Sequence, residues 1–371
     1  MRKQFLICTT LVVAASLAPT VARAQTTELN FGVVSTEVST NLKKVWDPYF
    51  EAMAKGTGLK INGFYASDYA GVIEGMRFNK VQVARYGNKS AMEAVNRSNG
   101  EVFALSVDVD GAAGYWSHLI VHRDSPLQNL DDVLKCDKSL NFGIGDPNST
   151  SGFLVPVSYI FAARNIEPKT CFKALRAASH EANDMAVAHK QVDVATSNDK
   201  SLRRLQMTAP DARESIRVIW TSPLIKNDPL VWRKDLPADI KTRVYTWHMS
   251  YGRIGTPEEI AEARKVLAAM LRAPYDPTDD TQLLPIRILE ANKDIMKLQA
   301  DDKLSAEEKA AKISPLQAQI KKWQEQADKA EDSGFKKQVK AFLEADKAGN
   351  QAELKRMIAE FATEFAGAPK N

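Results

Sequence analysis

Hydroxyl-bearing residues cluster at one predicted strand-to-helix turn. Leu140 to Ile144 are apolar enough for a buried strand, and Gly145-Asp-Pro-Asn148 then supplies turn residues. Ser149-Thr-Ser-Gly152 follows and opens an apolar run that predicts a helix. Hydroxyls, free backbone N–H groups and the positive end of a helix dipole suit a tetrahedral oxyanion such as phosphate, phosphonate or sulfate. An ordinary helix N-cap explains this stretch alone equally well, because Ser and Thr are favoured there.

The same turn also supplies residue types that a hydrolase uses. Ser149 or Ser151, with His180 and Asp228, would make up a catalytic triad. However, the chain has no Gly-x-Ser-x-Gly elbow, and the Gly143-x-Gly145 segment lacks the third glycine of a dinucleotide fingerprint. It has no HExxH motif, no Walker loop and no Cys or His pair at metal-ligand spacing. We therefore expect a binding protein rather than an enzyme, without a metal or a cofactor.

Alternating strand-like and helix-like segments predict two α/β lobes that would position these groups. Residues 25–120 and 223–285 are expected to form the first lobe, with a largely parallel sheet, and residues 121–222 the second. The long apolar run from Tyr115 to His122 could cross between the lobes. Two crossings predict a hinge and a cleft for a small ligand. Ligands of such sheets bind beyond the carboxyl ends of strands, where Tyr69 and Tyr86 fall.

The segment 286–371 predicts a C-terminal helical extension of a different character. From about Gln282 charged and apolar residues alternate, which favours three amphipathic helices. Asn350 can cap the last one, which carries Leu354, Ile358, Phe361 and Phe365 on one face. This apolar stripe is our candidate for a homodimer contact, and the alternative is that it folds back on its own lobe.

The first 24 residues have the features of a secretory signal peptide. A basic start precedes a short apolar run and an Ala-Arg-Ala24 ending, so we expect export to the periplasm and cleavage after Ala24. Cleavage would lower the formal net charge from +4 by the three cations of this segment, to +1. A nearly neutral chain has no electrostatic footprint for nucleic acid. In an oxidising compartment Cys136 and Cys171 are expected to form a disulfide, with two buried thiols as the alternative.

Many short sequence segments of the chain resemble the periplasmic phosphonate-binding proteins of ABC importers. The similarity covers about residues 29–300. These segments are Leu29-Asn-Phe-Gly-Val-Val-Ser-Thr-Glu37, Asp68-Tyr-Ala-Gly71, Gly75-Met-Arg-Phe-Asn-Lys80, Asn88-Lys-Ser-Ala-Met-Glu-Ala-Val95, Gly114-Tyr-Trp116, Gly145-Asp-Pro-Asn-Ser-Thr-Ser-Gly-Phe-Leu-Val-Pro156, His180-Glu181, Lys190-Gln-Val-Asp-Val-Ala-Thr196, Ser222-Pro-Leu-Ile225 and Asp228-Pro-Leu-Val-Trp-Arg233. The resemblance implies a two-lobed periplasmic-binding-protein fold of type II. It also implies delivery of a captured phosphonate to a membrane permease and its ATPase.

The resemblance further implies roles for individual residues. It places the phosphonate group against six side chains, which are Ser149, Thr150, Ser151, Tyr69, Tyr115 and His180. Asp228 matches the acid that receives an ammonium group of the ligand. The implied ligand is 2-aminoethylphosphonate or a related alkylphosphonate, and the alternatives are phosphite, a phosphate ester or a carboxylated phosphonate.

Two departures from the family pattern bear on the ligand. Lys200 stands where the family has a second, ammonium-binding glutamate, with Asp199 beside it, and Arg85 stands where relatives have a tryptophan before Tyr86. Either Asp199 substitutes for the glutamate and 2-aminoethylphosphonate is bound, or Lys200 faces the cleft and a carboxylate-bearing phosphonate is preferred. Of these two hypotheses the sequence favours the first, because Asp228 is kept and the shift is a single residue.

Overall fold

The computed structural model describes residues 27–367, so the expected signal peptide lies outside the described residues. The strands are β1 Glu28–Val33, β2 Lys60–Tyr65, β3 Val83–Arg85, β4 Gly100–Asp108, β5 Gly114–Tyr115, β6 Ser117–His122, β7 Asn141–Gly145, β8 Ala174–Ala178, β9 Val194–Asn198, β10 Ile216–Thr221, β11 Ile225–Lys226, β12 Pro229–Arg233 and β13 Arg272–Pro277. The α-helices are α1 Ser39–Thr57, α2 Tyr69–Arg77, α3 Asn88–Arg97, α4 Leu130–Val133, α5 Pro168–Cys171, α6 His180–Ala188, α7 Asp199–Thr208, α8 Pro210–Glu214, α9 Ala238–Ser250, α10 Pro257–Ala269, α11 Leu284–Gln299, α12 Ala306–Glu331, α13 Gly334–Lys347 and α14 Gln351–Gly367. Two π-helical segments, Thr150–Leu154 and Val157–Phe161, follow β7, and short 3₁₀ turns cover Ala162–Arg164 and Asp280–Leu283.

Two separate sheets confirm the two-lobed α/β architecture. The first lobe has strand order β13-β4-β12-β3-β1-β2, and the second has β10-β6-β9-β7-β8. Both sheets are mixed rather than largely parallel: in the first, β12 runs antiparallel to β3 and β4, while β1, β2 and β3 are parallel. The first sheet is mixed because β12 enters it only after the chain has returned from the second lobe.

A two-stranded ribbon marks both crossings between the lobes. β5 pairs antiparallel with β11, so the outgoing and returning chains run side by side. β6 already pairs with β9 and β10 in the second sheet, so the first crossing precedes Ser117 rather than residue 120. The expected long strand from Tyr115 to His122 is therefore two strands, and the break between them lies at the hinge.

Amphipathic helices cover the faces of the sheets and build the core of each lobe. In α1 the buried residues include Leu42, Trp46, Tyr49 and Met53, which recur at helical spacing. Gly58 ends this helix in the left-handed conformation with φ of 66°, which glycine adopts without strain. The aromatic side chains of α1 pack on β1, so the helix is fixed against the strand that leads into the cleft.

Strand β13 was not predicted from the sequence. It contains Pro274 and Pro277, which normally argue against a strand. β13 pairs only with β4, at the edge of the sheet, and its register shifts between Ala273 and Asp276. An edge strand tolerates prolines because one side of its backbone has no ladder to maintain. This strand matters for the site because it begins with Arg272.

The C-terminal helices pack on the first lobe. Four helices, α11 to α14, lie between Leu284 and Gly367, where three were expected. The stripe Leu354, Ile358, Phe361 and Phe365 is at most 6% exposed and belongs to the core that includes Trp232 and Tyr245. The prediction that this stripe forms a homodimer contact is therefore wrong, since the chain's own lobe covers it.

Helix α11 connects the extension to both lobes. It contacts α3 of the first lobe and, in the second, the π-helical segment Val157–Phe161 and the 3₁₀ turn Ala162–Arg164, and Glu290 pairs with Lys89 at 2.7 Å. Within residues 27–367 no helix has both the length and the apolar character that a membrane span requires.

Candidate functional site

A cavity of about 100 Å³ lies between the two lobes. It is lined by residues that follow β1, β3 and β7 and by the end of β9, so it lies beyond the carboxyl ends of strands from both sheets. Ligand sites of open α/β sheets occur at such positions. The volume suits a ligand of a few heavy atoms and is well below the pockets of drug-sized molecules, which start at about 300 Å³.

One part of the cavity, which we call the hydroxyl turn, consists of Ser149, Thr150 and Ser151. All three are at most 3% exposed and line the cavity. Ser149 is the N-cap, and its Oγ accepts a hydrogen bond from the backbone N–H of Gly152 at 3.0 Å. The cap and the anion-site interpretations are thus compatible, because capping uses one donor and leaves others of the first turn for a ligand.

Two glycines let the hydroxyl turn approach the end of β7. A Cβ atom on Gly145 would lie 2.5 Å from the Cα of Gly152, which no side chain can occupy. A Cβ atom on Gly152 would lie 2.9 Å from Ser149 Oγ and 3.1 Å from His180 Cε1. The close backbone contact therefore fixes the helix start under the cavity.

His180 faces the hydroxyl turn as a neutral group. Its Nε2 lies 3.4 Å from the Oγ atoms of both Ser149 and Ser151 and 3.1 Å from Asn198 Nδ2. Burial lowers the pKa of His180 to about 4, and the charge of Arg85 lowers it further, against the attraction of Asp228. At neutral pH the imidazole is uncharged, and in the tautomer with its proton on Nε2 it can donate to an oxyanion without adding charge.

The catalytic triad is not assembled among the described residues. The carboxylate of Asp228 accepts its hydrogen bonds from Arg85 and Tyr115, not from His180. The Nδ1 atom of His180, which a triad carboxylate would hold, has no hydrogen-bond partner in the described part of the chain. Without that partner the imidazole is not oriented as a general base.

Two tyrosines enclose the site from the first lobe and the hinge. Tyr69 begins α2, lines the cavity and hydrogen-bonds through its backbone N–H to Asp146 at 3.2 Å, which ties the lobes together. Burial raises the pKa of the Tyr69 phenol, while its hydrogen bond with Ser149 acts in the opposite direction. Tyr115 lies in the hinge ribbon and donates from its hydroxyl to Asp228 Oδ1 at 3.1 Å.

The rest of the cavity carries the charged side chains, which we call the charged lining. It consists of four cations and two anions, namely Arg85, Lys200, Arg204, Arg272, Glu37 and Asp228. Arg85 forms a short ion pair through Nη2 with Asp228 Oδ2. Because Tyr115 holds the other carboxylate oxygen, both oxygens of Asp228 are engaged within the protein.

Lys200 lines the cavity, whereas Asp199 does not. The Nζ atom of Lys200 donates to Asn227 Oδ1 at 2.6 Å and lies 4.6 Å from the centre of the Tyr115 ring. Asp199 Oδ1 accepts instead from the backbone N–H of Trp116 at 2.8 Å. The preferred hypothesis, in which Asp199 replaces the family's glutamate, is therefore not supported by the geometry. Asp199 cannot take the place of the glutamate one residue further on, because it starts α7 and its carboxylate is held at the hinge.

Tyr86 is not a cleft residue, although the sequence suggested it. Its side chain is fully buried in the core of the first lobe, and its hydroxyl donates to the backbone oxygen of Val72 at 3.0 Å. Arg85, the preceding residue on β3, points the other way and lines the cavity. The alternation of side chains along a strand accounts for the difference.

Sequence reasoning missed several residues that line the cavity. They are Asn198, Arg204 with its partner Glu37 at 3.9 Å, Arg272, and an apolar wall of Val33, Leu42, Val45, Trp46, Met270 and Leu271. Asn198 could have been found, since it precedes α7 and caps it by accepting from Ser201 N at 2.7 Å. Arg272 gave no signal, because its strand was not recognised.

The disulfide between Cys136 and Cys171 is present in the structure. It joins the segment before β7 to the end of α5, after the helix that starts at the hydroxyl turn. Within residues 27–367 no group of three or more His, Cys, Asp or Glu side chains is placed to hold a metal ion.

This fold and this cleft define a two-lobed substrate-binding protein, and comparisons with known proteins specify it further. The family model of the periplasmic substrate-binding proteins of phosphonate ABC transporters matches residues 31–283. The phosphonates-binding periplasmic protein of Escherichia coli K12 is 50% identical over 304 residues, which cover 82% of this chain and 88% of that one. The chain belongs to this family of periplasmic phosphonate-binding proteins.

Solved structures show the same fold. A binding protein of a phosphonate ABC transporter from Pseudomonas aeruginosa is 47% identical, with a TM-score of 0.79 over 83% of this chain and 100% of that one. A Prochlorococcus marinus protein in complex with methylphosphonate is 19% identical, with a TM-score of 0.62 over 74% of this chain and 100% of that one, and shows the likeness of fold alone. The relatives are substrate-binding proteins, which confirms binding rather than catalysis as the function.

Proposed function

We propose that this protein captures a phosphonate in the cleft, with the phosphonate oxygens on the hydroxyl turn, and delivers it to the permease of an ABC importer with its ATPase. The observation that supports this proposal most directly is the buried hydroxyl turn facing neutral His180 at a helix start. Hydroxyl and backbone donors bind an oxyanion well because charge-assisted hydrogen bonds are stronger than neutral ones.

Contacts across the cleft support a capture mechanism in which the two lobes close on the ligand. Glu181 of the second lobe accepts from Val38 N at 2.8 Å and from Asn41 Nδ2 at 2.6 Å, both in the first lobe. On the other side Arg203 of α7 pairs with Asp108 and Asp110. Such polar contacts can break and re-form at little cost, which suits a protein that must also release its ligand.

For the ligand itself, the family resemblance suggests 2-aminoethylphosphonate or a related alkylphosphonate. Phosphite, a phosphate ester and a carboxylated phosphonate are the alternatives. An aminophosphonate requires an acid to receive its ammonium group, and the charge of Asp228 is already neutralised by Arg85, while Tyr115 donates to its other oxygen. The export signal expected at residues 1–24, with cleavage after Ala24, is part of the same proposal because capture takes place outside the inner membrane.

Calorimetry of the purified protein tests the proposal. We expect methylphosphonate to bind more tightly than phosphate, phosphite or sulfate. Tighter binding of phosphate or phosphite than of any phosphonate would refute the assignment. Native mass spectrometry of the protein taken from cells would give the mass of a retained ligand, the cleavage position and the number of subunits. Incubation with phosphonates should release no phosphate, since a binding protein returns its ligand unchanged.

A further inference from the structure

The charged lining holds more positive than negative side chains, and this excess bears on the substituent of the ligand. Of its four cations, Arg85 pairs with Asp228 and Arg204 lies 3.9 Å from Glu37. Two cations, Lys200 and Arg272, remain without an equivalent partner inside the cavity.

Lys200 is only weakly compensated by its surroundings. The nearest carboxylate oxygen, on Asp108, is 3.9 Å from its Nζ atom and already pairs with Arg203. Burial lowers the pKa of Lys200 to about 8, and the charges of Arg272 and Arg85 lower it further, against the attraction of Asp228 and Asp108. At neutral pH Lys200 therefore still carries its charge, in an environment that disfavours it.

Arg272 has no ion-pair partner among the described residues. Its guanidinium group lies 5.9 Å from the centre of the Trp46 ring, which contacts it from one side. Burial lowers the pKa of Arg272, and the charge of Arg85 lowers it further, against the opposing effects of Tyr275, Asp228 and Tyr49. A partly buried cation without an ion-pair partner costs free energy, and an anionic ligand in contact with it would lower that cost.

The two ends of a phosphonate would meet different surroundings. The hydroxyl turn offers the phosphonate group neutral donors, so the cations remain available to the carbon substituent. A substituent that ends in an ammonium group would meet Lys200 and Arg85 as like charges, and it would have to share Asp228 with Arg85 and Tyr115. A substituent that ends in a carboxylate would supply the anion that Lys200 and Arg272 lack.

We propose that Arg85, Lys200 and Arg272 select phosphonates whose carbon substituent ends in a carboxylate and reject those that end in an ammonium group. This inference rests on the proposed function, because it assumes that the phosphonate group occupies the hydroxyl turn. Arg85 acts by masking Asp228, while Lys200 and Arg272 contact the carboxylate directly.

Calorimetry with three ligands tests the inference on the mature protein. Methylphosphonate has no charged substituent, 2-aminoethylphosphonate carries an ammonium group and phosphonoacetate carries a carboxylate. For the wild type we expect phosphonoacetate to bind about tenfold or more tightly than 2-aminoethylphosphonate, with methylphosphonate between them. A preference for 2-aminoethylphosphonate would overturn the inference and leave the proposed function intact. Failure of all three to bind would instead refute the proposed function.

Two variants then test which residues produce the preference. Lys200→Gln and Arg272→Gln should each reduce the ratio of the two affinities by about tenfold, while methylphosphonate binding changes less. Lys173→Gln removes one positive charge from the exposed surface of the second lobe and should leave the ratio unchanged. If the preference for phosphonoacetate persists in both cavity variants, their assignment is wrong. Thermal melting verifies that each variant folds.

Discussion

The hydroxyl turn and the charged lining recognise different parts of a ligand by different physical means. The hydroxyl turn comes from three consecutive residues and presents neutral donors on a helix start that Gly145 and Gly152 hold in place. The charged lining comes from β3, α7, β13, the loop after β1 and the residue before β12, and its character depends on which charges pair. A short motif can therefore indicate that an oxyanion binds. The choice among phosphonates depends instead on ion pairs between side chains that only the folded chain brings together.

The largest effect should follow from removing the hydroxyl turn. Thr150→Ala with Ser151→Ala deletes two donors to a charged acceptor, each worth about 1.5–3 kcal/mol, so methylphosphonate affinity should fall about 100-fold or more. Ser158→Ala is the control, because this buried hydroxyl lies on the same helix but bonds Leu154 O at 2.8 Å and is not among the cavity residues. Isothermal calorimetry measures both. A loss of less than about tenfold in the double variant would contradict the assignment of the hydroxyl turn.

The disulfide supports the hydroxyl turn from outside the cavity, so it should affect stability and not ligand choice. Cys136 and Cys171 are 35 residues apart, and in the chain-entropy model a loop of this length stabilises the folded state by about 3–4 kcal/mol. We expect Cys136→Ser with Cys171→Ser to lose about this amount in urea unfolding, with methylphosphonate affinity nearly unchanged below the melting temperature. Two free thiols in the unreduced wild type would show that the bond does not form.

Titration of Lys200 should distinguish the charged lining from the hydroxyl turn. Burial first, then Arg272 and Arg85, lower the pKa of Lys200 to about 8, and Asp228 and Asp108 oppose this shift. A bound anion favours the protonated amine, so affinity should fall as the pH rises above about 8, by about tenfold per pH unit at most. Without ligand the sign is opposite: the unfolded state holds this proton up to its ordinary pKa, so the free energy of unfolding rises with pH in the same window.

The matched variant for this titration is Lys200→Gln. Phosphonates also ionise near neutral pH, and only the difference between the wild type and the variant reports on Lys200. Calorimetry in two buffers of different ionisation enthalpy should detect proton uptake on binding by the wild type above pH 8, and less by the variant. Equal uptake by both proteins would show that Lys200 does not sense the ligand.

The sequence predicted what depends on local patterns. The two-lobed fold follows from alternating strands and helices, and the turn at Ser149 follows from adjacent residue types. It did not predict β13, because its two prolines are tolerated only at a sheet edge, and edge position is a tertiary property. Because this strand was not predicted, Arg272 was not recognised as a residue of the site.

The C-terminal stripe shows a related limit. Its helical spacing was correctly recognised, but an apolar face does not specify its partner. In the structure the partner is α9 of the same chain together with Trp232, so Phe361 and its neighbours belong to the core. Likewise the sequence showed that Arg85 and Asp228 were near the site but not that they would pair with each other.

The smallest change in affinity is expected for a substitution of Asp199, and this substitution distinguishes the two hypotheses for the ligand's substituent. Asp199→Asn keeps the Oδ1 atom that accepts from Trp116 N and removes a charge that does not line the cavity. Its affinities for 2-aminoethylphosphonate and phosphonoacetate should therefore change by less than about twofold. Asp228→Asn, the matched change inside the cavity, should instead strengthen phosphonoacetate binding severalfold, because it frees the charge of Arg85 for the carboxylate of the ligand. If Asp199→Asn weakens 2-aminoethylphosphonate binding while Asp228→Asn has no effect, Asp199 receives the ammonium group. In that case the side chains of the charged lining do not determine which substituent is preferred.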